Sequence, residues 1–376
     1  MSSVALEICA FSCGNGDTLL LKWPDSKWAI IDCCLPEGPV RDRFFKYMLD
    51  EGVTQLEFVC LTHPDLDHLL GMADLVTHFT TEKRSIKYFC HPPADPKTIQ
   101  RVLKWARRTP ARSEYRKLVE VLIPLFARRA VIRRPMSSNA EPMDDWTGLT
   151  FVPLAPDPNT DFDLMVSGLQ RLAVSKETVD VNVGDVNAIS VAIAVGVKTE
   201  SEPISVLLGG DLFWKEWKWA LACWERKAIS AGCTTGYRII KVPHHGSALS
   251  HHPDLASKFA GTHPRFAVIS VGHRFSTHPD RRVLEDYDAN HWKILLTQKR
   301  VGGVVSQKHP FQLLSGNRSV VQFSEGQDIV IKVLTDGCVT AQPDAALLDP
   351  LGIQLYEEGQ ESWQSGDDAY ASGMAT

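Results

Sequence analysis

Four side chains able to bind a metal fall within six residues: His63-Pro64-Asp65-Leu66-Asp67-His68. They follow the apolar run Leu56–Thr62 directly. Pro64 opposes a helix through the first part, because its ring removes a donor and clashes with the preceding turn. A loop leaving a strand end can turn alternate side chains toward one point, as a one- or two-metal site requires. His and Asp are the usual ligands of zinc and manganese. The same residues also suit a polar turn in which Asp65 or Asp67 caps the next helix.

Three further apolar runs end in residues of the same chemical types. Val206–Leu208 leads into Gly209-Gly210-Asp211, Arg238–Val242 into Pro243-His244-His245-Gly246-Ser247, and Phe266–Val271 into Gly272-His273 and then Thr277-His278-Pro279. His91 precedes Pro92-Pro93 at another such end. Functional groups gather on loops that a rigid scaffold positions. A single strand-end Asp or His is ordinarily a cap or turn residue; several in one chain point to a site.

The ordered set Ile30-Ile31-Asp32, His63–His68, Gly210-Asp211 and Lys241-Val-Pro-His-His-Gly-Ser247 resembles the successive motifs of the metallo-β-lactamase superfamily. Within it, Cys13-Gly-Asn-Gly-Asp17, Asn187 with Ser190, and Ser270-Val-Gly272 with His278-Pro279 are similar to elements of the hydrolase domain of ComEC-type competence proteins. The likeness covers residues 4 to 305 apart from a basic segment. It implies an α/β fold, a four-layer αββα sandwich, holding one or two divalent ions, Mn²⁺ or Zn²⁺. The implied metal ligands are His63, Asp65, Asp67, His68, Asn187, Asp211, His244 and His245, with Asp32 orienting a ligand histidine. Sequence does not separate His244 from His245. The implied catalytic residues are Asp67, Asp211, Lys241 and His278, the last contacting phosphate or protonating a leaving group. Asp65 and Asn187 stand where most of the superfamily has His. Oxygen donors there favour Mn²⁺ or Mg²⁺ over zinc, and leave open one ion or two.

The elements needed to position these groups are legible in the apolar pattern. Leu6–Phe11, Thr18–Trp23 and Trp28–Ile31 predict a meander of hairpins. A helix is expected over Pro39–Glu51, a strand over Leu56–Thr62, a helix over His68–His78 and a strand over Ile86–Cys90. Strands are expected at Ala188–Val195, Ile204–Leu208, Arg238–Val242 and Phe266–Val271. Phe213, Trp217, Leu221, Trp224 and Ala228 recur at helical spacing, so Leu212–Ser230 reads as a helix with an apolar face.

The 376 residues carry a formal charge of −5, which announces no nucleic-acid binder in bulk. The distribution does. Lys97–Arg134 holds twelve Lys/Arg against Glu114 and Glu120, a net +10. This segment reads as a helical insertion, within about 81–180, in a hydrolase domain spanning 1–342. Arg107, Arg108, Arg128 and Arg129 are its candidates for phosphate contacts, with Trp105 and Tyr115 available for stacking. A solvated helical pair or a dock for an acidic partner are the alternatives. No Lys or Arg follows Lys332, so 343–376 reads as a flexible acidic tail.

Nine cysteines, an odd count without C-x-x-C, fit buried free thiols in a reducing cytoplasm. No apolar run approaches the roughly 20 residues of a membrane helix, and no signal peptide is visible. The expected activity is metal-dependent hydrolysis by an activated water, on a phosphodiester and most naturally a nucleic-acid strand. The alternatives are a small-molecule hydrolase acting on a lactone or cyclic nucleotide, and a non-catalytic binding subunit of a multi-protein system, such as one for phage defence.

Overall fold

The opening residues alternate apolar runs with turn formers and pair as strands β1 (Val4–Ala10), β2 (Leu19–Trp23) and β3 (Lys27–Ile31), all antiparallel. Parallel strands β4 (Gln55–Cys60), β5 (Ser85–His91) and β6 (Ile132–Pro135) extend this sheet on one side. A second sheet begins with β7 (Met143–Trp146), β8 (Leu149–Ala155), β9 (Ala192–Val197) and β10 (Ile204–Leu208), antiparallel in sequence. It continues in parallel through β11 (Ile239–Lys241), β12 (Arg265–Ile269), β13 (Trp292–Leu296) and β14 (Gln322–Phe323). The antiparallel pair β15 (Ile329–Leu334) and β16 (Val339–Gln342) returns to the first sheet beside β1. This computed structural model describes residues 2–13, 16–93, 110–157, 187–257, 264–270, 278–297, 322–323 and 328–342.

Parallel neighbours need crossovers, and helices supply them. Helices α1 (Pro39–Asp50), α2 (Leu66–Leu69), α3 (Met72–His78) and α4 (Pro110–Ala127) belong to the first half of the chain. Helices α5 (Trp214–Cys223), α6 (Asp254–Ser257) and α7 (Arg281–Ala289) belong to the second. Three apolar layers result. Phe44, Met48, Leu75 and Leu118 cover the first sheet; Trp217, Trp224 and Tyr287 cover the second. Between the sheets Trp23, Phe58, Trp146 and Phe151 form an aromatic cluster with ring centroids 5.1–5.8 Å apart. Glu57 is buried at its edge, but accepts from Lys27 Nζ at 2.7 Å and Trp146 Nε1 at 3.0 Å, which offsets its lost hydration. The order is helix, sheet, sheet, helix.

Several expectations shift. The helix expected over His68–His78 is two short ones that break at Leu70-Gly71, with Gly71 at φ 85°. The Leu212–Ser230 helix ends its regular part at Cys223 and finishes as a π-turn over Trp224–Ala228. The strand expected from Ala188 starts at Ala192, because Asn187–Ser190 turns, Ser190 N–H donating to Asn187 O at 3.0 Å. The span read as an insertion, 81–180, is woven into the sandwich: β5 and β6 belong to one sheet and β7 and β8 to the other. Its basic content masked these strands, because Arg133 and Arg134 sit on a strand whose side chains are only half-buried. Positions 97–109 and the segment 343–376 lie outside the described residues. Eight cysteines are buried free thiols and Cys338 is exposed. Among the described residues no helix is long and apolar enough to cross a membrane.

Phe151→Ala removes the ring at the centre of the inter-sheet cluster. It should lower unfolding free energy in urea by about 3–5 kcal/mol. A loss below about 1 kcal/mol would show that the cluster does not hold the sheets together.

Candidate metal centre

The loop after β4 is organised by one buried carboxylate. Asp32, just past β3 in a left-handed conformation (φ 58°), accepts from Thr62 N at 2.7 Å and Thr62 Oγ1 at 2.7 Å. Its Oδ2 lies 2.8 Å from His68 Nδ1. A proton on Nδ1 leaves the Nε2 lone pair of His68 facing outward, the tautomer a metal ligand needs. His63 Nδ1 lies 3.1 Å from both Thr62 Oγ1 and Ser190 Oγ, and is fixed in the same sense. Burial raises the pKa of Asp32, and the His68 imidazole opposes that.

Asp211 arrives from the second sheet, after β10. Its backbone N–H donates to Ser190 Oγ at 2.8 Å. This close approach needs Gly210, since a Cβ there would meet the Ser190 hydroxyl at 2.1 Å. Asp211 Oδ2 lies 3.3 Å from His68 Nε2, 3.7 Å from His244 Nε2 and 3.9 Å from His63 Nε2. Asn187 is buried, its backbone O accepting from Ser190 N at 3.0 Å.

The loop after β11 takes a strained path. His244 and His245 are both left-handed, at φ 48° and 54°. Such conformations cost on the order of 1–3 kcal/mol each and persist only where the surroundings fix them. Here His245 Nδ1 donates to Ser270 O at 3.0 Å, and His244 Nδ1 lies 3.0 Å from Ser250 Oγ. The turn sends the two rings to different places. His245 is buried with Nε2 3.2 Å from Asp67 Oδ2. His244 stays 19% exposed beside the ring of His278, 5.5 Å away.

Behind His245 lies a buried ion pair. Lys241 Nζ donates to Asp17 Oδ2 at 2.7 Å and to Val242 O at 3.1 Å, with both side chains almost wholly buried. Asp17 N–H donates to Asp67 O at 3.0 Å, and a Cβ on Gly16 would meet that same oxygen at 2.3 Å. The Gly16-Asp17 turn therefore grips the Asp67 loop with its backbone and the His245 strand with its carboxylate.

Two groups emerge in which every potential ligand atom lies within 4.8 Å of the others: His63, His68 and Asp211; and Asp17, His68 and His245. Charge governs both. Burial disfavours the ionised form of Asp211, yet His68, His244 and His63 hold its pKa well below the ordinary value. Burial also opposes charge on His68, and Asp211, Asp32 and Asp67 overcome it and raise its pKa well above normal. Burial and the neighbouring His68 press His63 down to about 3. Against burial, Asp17 and Asp67 raise His245 to about 9.

Among the described residues, His63 Nε2, His68 Nε2, Asp211 Oδ1 and Asn187 Oδ1 have no hydrogen-bond partner, although each is buried. Leaving such atoms unpaired costs about 1–3 kcal/mol apiece. Imidazole nitrogens and carboxylates brought into one space are the donor set of a divalent cation. The residues fit such an ion.

Residues 12–135 match the family model of the metallo-beta-lactamase superfamily. No curated protein matches the chain. Solved structures similar to it include the metallo-beta-lactamase fold protein YhfI from Bacillus subtilis, 11% identical, covering 79% of this chain and 98% of its own, TM-score 0.41. A diphosphatase from the PhnP family, also 11% identical, covers 88% of this chain and 99% of its own, TM-score 0.39. The long form RNase Z from yeast is 10% identical, covering 92% of this chain and 42% of its own, TM-score 0.34. The fold is the metallo-β-lactamase sandwich.

Within this metallo-β-lactamase sandwich the expected site residues separate into three kinds. His63, Asp67, His68, Asp211, His244 and His245 converge, with Asp32 behind His68 and His278 beside His244; Asn187 is buried next to the Ser190 turn, its Oδ1 without a partner among the described residues. Asp65 joins neither tight ligand group, though it lies close enough for burial and the Asp67 carboxylate to raise its pKa. It caps α2, its Oδ1 accepting from Leu66 N at 2.7 Å, because a carboxylate just before a helix satisfies the first free N–H groups. Lys241 is also displaced from the expected catalytic place, since the Asp17 carboxylate holds its ammonium behind His245. Arg128 and Arg129 are exposed just past α4, whereas Arg107 and Arg108, with Trp105, lie outside the described residues. Tyr115 turns inward to line an apolar cavity instead of offering an open stacking face, and burial pushes its hydroxyl to about 12.

Asp17, Thr62 and Ser190 are the functional neighbours that motif reading did not assign. Asp17 had one signal, as the acid of a glycine-rich turn. Ser190 had one too, as the partner of Asn187 in a motif-like pair, but no role; Thr62 had none, because its value comes from a hydroxyl that reaches Asp32 and His63 across the fold.

Asp32→Ala frees the His68 ring to choose the wrong tautomer. Metal affinity, read by competition with a chromophoric chelator, should fall about 10- to 100-fold. A change below twofold would mean that His68 is oriented without Asp32.

Proposed function

We propose that this protein is a metal-dependent hydrolase acting on phosphodiesters, with a nucleic-acid strand as the substrate class favoured by its basic segment. The observation that carries the reading is the convergence of unpartnered His63 Nε2, His68 Nε2 and Asp211 Oδ1 at the loop ends of both sheets. A divalent ion held there supplies Lewis acidity and lowers the pKa of water enough for attack at neutral pH.

The chain's own groups have distinct tasks around it. Asp32 fixes His68, and the Thr62 and Ser190 hydroxyls fix His63. Asp211, only 3% exposed, is a fixed negative charge at the centre. Asp67 is the carboxylate that reaches solvent, at 19% exposure, so it is placed to take a proton from the attacking water. His244 and His278 form the histidine pair on the open side, where a proton can be delivered to a leaving oxygen. A degenerate binding subunit has no use for so many buried, mutually repelling ligands.

Two observations bear on the substrate. The net +10 of Lys97–Arg134 supports backbone phosphates as ligands, and Arg128 and Arg129 are exposed. Part of that charge is neutralised locally, by Lys117 with Glu114 at 2.5 Å and Arg116 with Glu120 at 2.7 Å. The second reading, a small-molecule hydrolase, is favoured by the narrow apolar cavity beside His63.

Chelation should abolish activity, and Mn²⁺ should restore it better than Zn²⁺, since Asp65 and Asn187 offer oxygen where imidazole is usual. Full recovery with Zn²⁺ and none with Mn²⁺ would refute the oxygen-donor argument. Asp67→Ala, His68→Ala and Asp211→Ala should each remove at least about 99% of turnover, of the order set by a lost general base or charge stabiliser. Wild-type turnover by Asp211→Ala would show that the centre is not catalytic.

Replacing Arg107, Arg108, Arg128 and Arg129 with Ala tests the strand reading separately. Binding to single-stranded DNA should weaken alike across sequences, and the slope of log affinity against log salt should drop by about one unit per lost phosphate contact. An unchanged slope would remove nucleic acid as the ligand of this segment.

A further inference from the structure

A cavity of about 90 Å³ is lined in part by residues adjacent in the chain to the candidate ligands. Three of its lining residues belong to the loops that carry the candidate ligands. Leu61 and Pro64 bracket Thr62-His63, and Ile189 lies between Asn187 and Ser190. Phe89 on β5 and Leu118 and Leu122 on α4 form the opposite walls, and Ile123, 53% exposed, stands at the rim. His91 contributes ring carbon rather than a polar atom. Its Nδ1 donates to Pro92 O at 2.5 Å and its Nε2 accepts from Arg133 Nε at 2.9 Å. Burial and Arg133 hold this imidazole neutral, with its pKa near 4.

A water needs two to four polar partners to settle in a cavity, and these walls offer almost none. A benzene-sized ring takes roughly 150 Å³, more than is present, so a whole nucleobase does not fit. At on the order of 30 Å³ per water-sized unit, the space matches three or four methylenes.

We propose that this cavity binds a short alkyl group of three or four carbons, attached to the phosphodiester next to the bond that is cut. The inference rests on the phosphodiester reading and takes its second, small-molecule form in place of the nucleic-acid strand: the substrates are small, apolar-substituted diesters. The centre and the cavity share Leu61–Pro64 and Asn187–Ser190, so an alkyl chain seated against Pro64 and Ile189 carries its phosphorus toward His63.

The test is a series of n-alkyl p-nitrophenyl phosphates, methyl to octyl, hydrolysed by manganese-loaded protein. Water adds to phosphorus and the P–O bond to nitrophenolate breaks. Expected is a rise in kcat/KM of about fourfold per methylene (~0.8 kcal/mol each) up to propyl or butyl, then a plateau. Leu122→Trp, which fills the cavity, and Ile123→Glu, which sets a charge at its rim, should collapse the butyl-to-methyl ratio toward one. Ile123→Glu keeps the test open should Leu122→Trp not fold.

Calorimetric binding of n-alkylphosphonates, methyl to octyl, separates the cavity from the reaction. Affinity that climbs to butyl and loses its climb in Ile123→Glu, with no diester hydrolysed, would uphold the cavity and dismiss the phosphodiester reading. Rates and affinities flat from methyl to butyl would overturn the cavity. A rise that continues unbroken to octyl in both protein forms would overturn it too.

Discussion

The constraint on which the rest depends is the burial of like charge. Asp17, Asp32, Asp67 and Asp211 meet at one end of a sandwich that is otherwise apolar, and three of them are almost wholly buried. A carboxylate leaves water at a cost of several kcal/mol even after relaxation. Each one present must therefore have a partner. Asp17 has Lys241; removing one member of such a buried pair typically costs about 3–5 kcal/mol. Asp32 has Thr62 and His68. Among the described residues, the partners of Asp67 and Asp211 are imidazoles, some of which must carry a proton while no cation is bound. The raised pKa values of His68 and His245 express that demand. A divalent ion answers it better than protons do, because it also engages His63, whose burial forbids protonation at neutral pH.

Backbone strain follows from the same demand. Asp32, His244 and His245 are all left-handed, and all three sit where a loop must aim a polar side chain inward. The Asp17–Lys241 pair ties two of these loops together. The Asp67 loop hangs on the Asp17 N–H, and the strand leading to His245 hangs on the Asp17 carboxylate. Metal affinity in this arrangement is a property of the paired sheets, because His63 and His68 come from one sheet and Asp211, His244 and His245 from the other.

Much of this was legible in the chain itself. Strand ends with Asp or His after an apolar run marked β4, β10 and β11, and the strand boundaries there are right to within two residues. The site signal was strong because ligand chemistry demands particular residue types in tight spacing. Asp65 was harder, since a carboxylate before a helix serves equally as cap and ligand; here Oδ1 takes the cap bond from Leu66 N. Lys241 was harder still: nothing local says that its ammonium points back toward a turn more than 220 positions earlier. The strands β6 and β7 were hidden because edge positions carry Arg, Asp and Pro, which blur the apolar alternation that names a strand; β8 is an inner, buried apolar run interrupted by Pro153.

The most direct measurement is anomalous scattering from crystals grown with Mn²⁺. The predicted result is an ion bound by His63 Nε2, His68 Nε2 and the Asp211 carboxylate, with Asp32 still on His68 Nδ1. An ion bound only at Asp65, at surface carboxylates, or nowhere in the chain, with the His63–His68–Asp211 corner filled by water, would contradict the account.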